Sequence, residues 1–153
     1  MDMEMKNSNR CLYVNSFLNF CNEDNNSILG RLCDNYHGDI PTISREAWLT
    51  EIIILKDILS KYNNENGKIV FEYDIPRLGK RIDVVLLFRG IVFCLEFKVG
   101  ESKILSSDVD QVLDYALDLD NFHKYSEGRI IVPILIATKY KKSIIIYSKI
   151  SLL

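Results

Sequence analysis

The chain has 153 residues, 48% of them hydrophobic and 26% charged, with a formal net charge of −2. That length and apolar fraction suit a single domain burying ~70% of its unfolded surface, and they exclude a disordered or collagen-like chain. No apolar run reaches the ~18 residues that span a bilayer. The polar, acidic start Met-Asp-Met-Glu-Met-Lys-Asn is not a signal peptide. A soluble, cytoplasmic protein with no membrane partner is expected. Near-neutral charge excludes binding of nucleic acid through bulk basicity and leaves such contacts to local patches. Cys11, Cys21, Cys33 and Cys94 form no C-x₂-C pair and no zinc-spaced cluster, so reduced thiols are expected.

Residues 1–40 set short apolar clusters, Phe17-Leu18-Asn19-Phe20 and Ile28-Leu29 with Leu32, among Asn, Asp and Ser. One or two short helices are expected there, an N-terminal extension covering a main body at 41–153. The first strong helix spans about 45–62. Ser44 serves as N-cap, with Ile43 and Trp48 as a hydrophobic staple. At about 100° per residue, Trp48, Ile52, Leu55, Leu59 and Tyr62 fall on one stripe, which Asn63-Asn64-Glu65-Asn66-Gly67 ends.

Strands are expected at 68–75, 81–88 and 91–98, joined by the turns Pro76-Arg77-Leu78-Gly79 and Arg89-Gly90. A second helix follows at about 108–125, where Ser107 and Asp110 make a capping box. Two further strands, 129–138 and 143–150, complete the chain. Pro133 marks a bulge in the first, or a place that needs no ladder donor. The pattern is α/β: a mixed central β-sheet flanked by helices, in αβββαβ order.

The hairpin 81–98 carries the chemistry. Ile82, Val84, Leu86 and Phe88 line one face of its first strand, with Val85 and Leu87 on the other, so the strand is central and covered on both sides. Arg81, Asp83, Glu96 and Lys98 therefore need a reason to be there. A two-residue turn at Arg89-Gly90 pairs Phe88 with Ile91, which sets Asp83 opposite Glu96 and Arg81 opposite Lys98, all on one face. Two carboxylates ~5 Å apart repel by roughly 3 kcal/mol at an effective dielectric of 20. Positive charge must answer them. Either Arg81 and Lys98 neutralise them in a structural ion cluster, or the carboxylates hold a hard divalent cation through oxygen.

Glu51 lies about 60° around its helix from Trp48, at the flank of the buried stripe. It either snorkels to solvent or supplies a third carboxylate. In the latter case three acids face two bases and leave room for a cation. Gln111 and Tyr115, four apart, are neighbours on one face of the second helix, at the edge of the Val112, Ala116, Leu119 and Phe122 stripe.

Ile82-Asp83, twelve intervening residues and then Glu96-Phe97-Lys98 resembles the active-site signature of the PD-(D/E)XK nuclease superfamily, with Ile82 in place of the proline. In that family a hairpin carries the Asp and the Glu-x-Lys, and a preceding helix often carries a further Glu, the place of Glu51. Gln111-x-x-x-Tyr115 is similar to the Q-x-x-x-Y element of the RecB-like branch. Two longer stretches, Phe71 to Asp83 and Gln111 to Leu119, resemble the N-terminal nuclease-like region of large bacterial proteins that carry a Schlafen-group DNA/RNA helicase domain downstream. The sequence has no G-x-x-x-x-G-K-[ST] phosphate loop.

The resemblance implies a restriction-endonuclease-like core and metal-assisted phosphodiester hydrolysis of nucleic acid, DNA ahead of RNA, with a helicase or ATPase as a possible partner. Asp83 and Glu96, with Glu51 and the carbonyl of Phe97, would hold Mg²⁺ or Mn²⁺. Lys98 would orient water and offset charge on phosphorus, helped by Gln111 and Tyr115. Arg77, Lys80 and Arg81 on one turn are candidate phosphate contacts. Lys139, Lys141 and Lys142 fit either phosphate contact or protection of a strand edge, and His123 is a structural histidine at a helix end. The competing class is a nuclease-fold module that binds nucleic acid or a partner helicase without cutting.

Overall fold

The computed structural model describes residues 10–75, 77–122 and 128–141. Strand β1 (Tyr13–Ser16) leads into helices α1 (Phe17–Asn22), α2 (Asn25–Asn35) and α3 (Thr42–Leu59), the last prolonged by a 3₁₀ turn at Ser60–Tyr62. Then come β2 (Gly67–Ile75), β3 (Lys80–Phe88), β4 (Ile91–Lys98), helix α4 (Ser106–Phe122) and β5 (Ile130–Ala137). The strands form one sheet in the order β1-β2-β3-β4-β5. All neighbours are antiparallel except β4 and β5, which run parallel on either side of α4 in the chain. The protein is thus α/β, with a mixed five-stranded sheet flanked by helices. No helix among the described residues is long and apolar enough to cross a membrane.

Several expectations change. Helix α4 begins at Ser106, so Ser107 lies inside it and makes no capping box with Asp110; the Leu105 N–H instead donates to Asp108 Oδ2 at 3.0 Å. A strand, β1, stands where only helices were expected. Four residues are too few to show a period, and the ladder to Phe71, Val70, Ile69 and Lys68 of β2 makes them a strand. Helix α3 begins earlier than 45. Pro41, with φ −59°, precedes its first turn and Ser44 lies inside it, donating its N–H to the Pro41 carbonyl at 3.0 Å. Ile43 is 80% exposed, so no staple forms with Trp48. Pro133 sits opposite Cys94 in an uninterrupted register and makes no bulge. The expected strand 143–150, the helix end at 123–125, His123 and Lys142 lie outside the described residues.

The Arg89-Gly90 turn has two residues, both at positive φ (51° and 76°), the mirror-image geometry that matches strand twist. Arg89 is held in that conformation by two bonds to Glu65, at 2.9 and 2.7 Å, and lies over the Phe88 ring. Phe88 pairs with Ile91 as expected, and the ladder runs to Val84 opposite Leu95. There it stops. Asp83 and Glu96 are not ladder partners, nor are Arg81 and Lys98, because the Phe97 N–H donates to the Asp83 carboxylate at 2.7 Å.

The faces of the sheet also switch at this point. Val84, Leu86 and Phe88 pack on the α3 side, with Trp48, Ile52, Leu55 and Leu59. Ile82 instead joins Val85 on the α4 side, with Val112, Tyr115, Ala116 and Leu119. On β2, Phe71 and Tyr73 divide in the same way, around Glu72 at φ 55°. A left-handed residue with a side chain costs roughly 1 kcal/mol or more, so the kink is held by its surroundings.

The N-terminal elements belong to the α3-side core: Phe17, Phe20, Ile28 and Leu32 have no exposed surface. Ser16 caps α1 through Asn19 N–H, and Asp24 caps α2 through Asn26 and Ser27 N–H. The Phe17 ring covers Gly67 so closely that an added Cβ would stand 2.3 Å from it. Gly67→Ala is therefore expected to destabilise the fold by ~1–3 kcal/mol in urea unfolding. An unchanged midpoint would mean that Phe17 does not seat there.

Candidate functional site

Where β3 leaves β4, the sheet opens into a cleft of about 770 Å³. Six carboxylates line it: Glu51 of α3, Glu72 and Asp74 of β2, Asp83 of β3, Glu96 of β4 and Glu101 just beyond β4. Lys98 lines the same cleft from the end of β4, with Lys80, Arg81 and Phe97. The position follows from topology. Parallel strands joined through a helix leave a crevice beyond their carboxyl ends, and Glu96 and Lys98 stand at that end of β4.

Each side chain is held by identifiable partners. Asp83 Oδ2 accepts the Phe97 N–H at 2.7 Å, and Glu72 Oε1 accepts the Trp48 indole N–H at 2.9 Å. Lys98 Nζ lies 3.3 Å from Glu96 Oε1 and 3.6 Å from Asp108 Oδ1. It donates to Gln111 Oε1 at 2.9 Å, and Gln111 Nε2 donates in turn to the Tyr115 hydroxyl at 2.7 Å. Glu51 and Glu96 are only 3% and 5% exposed. One oxygen of each, Oε2, is buried with no hydrogen-bond partner.

Electrostatics here runs against the carboxylates. Burial pushes Glu51 far above the usual range, and the charges of Asp83, Glu72 and Glu96 push it further. Burial raises Glu72 to about 7 against the pull of the Trp48 hydrogen bond. Asp83 also rises to about 7, through burial and then the Glu96 charge, opposed by the Phe97 N–H and Lys98. Glu96 is raised by burial and pulled back by Lys98. Lys80, Arg81 and Lys98 are outnumbered by the six acids that line the cleft.

Hard oxygen donors, a surplus of negative charge and two unsatisfied buried oxygens are what a hard divalent cation answers. The donor set fits one. As they stand, no three His, Cys, Asp or Glu side chains among the described residues converge into a finished metal-binding group.

Most of the residues singled out in the sequence meet here. Glu51 is buried, not snorkelled, and Asp83, Glu96 and Lys98 share the cleft with Phe97, whose backbone N–H holds Asp83. Gln111 and Tyr115 reach the site only through Lys98. The basic turn divides: Lys80 and Arg81 line the cleft, Arg81 over the Tyr36 ring at 5.5 Å, while Arg77 pairs with Asp118 of α4 at 3.6 Å. Lys139 and Lys141 are exposed and are not among the residues lining the cleft. All four cysteines are free thiols.

Glu72, Trp48 and Asp108 were missed as site residues. Glu72 gave the same signal as Asp83, an acid inside an apolar strand, but strict alternation assigns it to the face opposite Phe71. Comparison with protein-family models, curated proteins and solved structures gives no match.

Carboxyls raised by folding contribute stability below their ordinary value and lose it as pH rises through the raised one. Without divalent cations, the melting temperature is expected to fall between about pH 5 and pH 8, as Glu72 and Asp83 ionise near 7. Glu51→Gln is expected to raise it at pH 8 by ~3 °C or more. A melting temperature in EDTA that ignores both pH and this substitution would contradict these electrostatics.

Proposed function

We propose that the chain is a divalent-metal-dependent phosphodiesterase that hydrolyses nucleic acid, DNA ahead of RNA, on a restriction-endonuclease-like PD-(D/E)XK core. The observation that carries this reading is the convergence of Glu51, Asp83, Glu96 and Lys98 on one cleft, with two buried carboxylate oxygens that no protein group satisfies. The antiparallel β2-β3-β4 followed by α4 and parallel β5 supports the fold assignment.

Asp83 and Glu96, with Glu51 and the carbonyl of Phe97, would hold Mg²⁺ or Mn²⁺. The bound ion supplies Lewis acidity toward a phosphoryl oxygen and lowers the pKa of coordinated water. Lys98 brings a preorganised ammonium to the charge that develops on phosphorus. Gln111 and Tyr115 act through Lys98: the Tyr115 hydroxyl fixes the Gln111 amide, and the amide oxygen aims Nζ. Lys80 and Arg81 at the rim are placed to hold backbone phosphates, which positions a strand without reading its sequence. With a net charge of −2, the chain as a whole does not attract a polyanion, which favours delivery of substrate by a helicase or ATPase partner.

The test is cleavage of labelled single- and double-stranded DNA and RNA in Mn²⁺, Mg²⁺ or EDTA. Metal-dependent cleavage is expected, and Asp83→Ala, Glu96→Ala and Lys98→Ala are each expected to lower it by ~10²-fold or more. Activity retained by all three folded variants would remove the site assignment. Mn²⁺ binding without cleavage of any substrate would point to a missing partner, and neither binding nor cleavage would favour the non-catalytic module.

A further inference from the structure

Glu72 is an acid of the cleft that no motif brings forward, and its backbone is unusual for a strand residue. Its φ of 55° lies in the region that residues with a Cβ avoid. The kink reverses the faces of two strands together. Phe71 and Val84 pack toward α3, whereas Tyr73 and Ile82 pack toward α4. Strict alternation would turn Glu72 and Asp83, which lie between them, toward α4. The kink instead lets Glu72 reach Trp48 of α3, near which Glu51 is only 3% exposed and its Oε2 has no partner.

Trp48 completes the arrangement. It stands three residues before Glu51 on α3, and its indole N–H holds Glu72 Oε1 at 2.9 Å while the carboxylate lines the cleft. A strand kink that served packing alone has no use for a charged residue there. Glu72 thus adds a fourth carboxylate to Glu51, Asp83 and Glu96, and with it a further hard oxygen donor for a divalent cation.

We infer that Glu72 is a fourth carboxylate ligand of the divalent-cation site and that Trp48 is its positioning residue. The inference rests on the cation-site reading above. Glu72→Gln separates the roles, since the amide oxygen still accepts the Trp48 N–H and fills the same space but carries no charge. Mn²⁺ binding, read from the electron paramagnetic resonance signal of the free ion, is expected to weaken by about tenfold or more in Glu72→Gln. Circular dichroism is expected to stay native, and the melting temperature in EDTA is expected to be no lower than that of the wild type.

Glu72→Gly accepts positive φ without strain and is expected to show the same loss of affinity. Trp48→Phe keeps an aromatic ring and removes the donor. It is expected to weaken Mn²⁺ binding by a smaller factor, and unchanged affinity there would strike out the positioning role. Wild-type affinity in Glu72→Gln, beside weak binding in Asp83→Asn, would overturn the inference and leave the cation site standing. Failure of the wild-type protein to bind Mn²⁺ would overturn both.

Discussion

Six carboxylates lining one cleft, two of them almost wholly buried, set the terms for the rest of this structure. Removing such groups from water is costly unless each is hydrogen-bonded, paired or neutralised. The fold supplies part of the answer: the Phe97 N–H to Asp83, the Trp48 indole to Glu72, and Lys98 to Glu96. It leaves Oε2 of Glu51 and of Glu96 without a partner. A protein selected for stability alone would fill these positions with apolar residues, as it does further along the same strands. The residual demand for positive charge is what connects fold to function here.

The scaffold around the cleft is arranged to hold that unfavourable cluster. On one side α3 is fastened by Ile52, Leu55 and Leu59 to the α3-side core, which also takes in β1, α1 and α2. On the other, α4 packs through Val112, Ala116 and Leu119 and presents Asp108, Gln111 and the hydroxyl of Tyr115 to the Lys98 network. Between them β3 parts from β4 at Asp83, and the bond to Phe97 replaces the ladder that would have closed the gap. Two packed layers thus fix the acids from opposite sides. Local strain at Glu72 is confined to one residue.

Much of this was legible in the sequence because it depends on short-range pattern. The stripe on α3, the strand boundaries at 91–98 and the two-residue turn at Arg89-Gly90 follow from periodicity and turn chemistry. Asp83, Glu96 and Lys98 stood out because a charged side chain on a strand covered from both sides must be paired or coordinated. What failed depends on tertiary contact. The strand at Tyr13–Ser16 exists through its ladder to β2, and no four-residue window announces it. The flip of faces at Glu72 and Asp83 breaks the period-two rule by which Ile82 was grouped with Val84. Arg77 left the cleft for Asp118, a partner on the helix that follows the hairpin.

The central claim is that the buried acids form a divalent-cation site. Anomalous diffraction from a crystal grown with Mn²⁺ tests it most directly. The account predicts an anomalous peak in the cleft within ~2.2 Å of carboxylate oxygens of Asp83 and Glu96, with Glu51 turned toward it. A cleft with no anomalous signal at saturating Mn²⁺, in which Lys98 alone bridges Asp83 and Glu96, would contradict it and make the cluster a structural ion network.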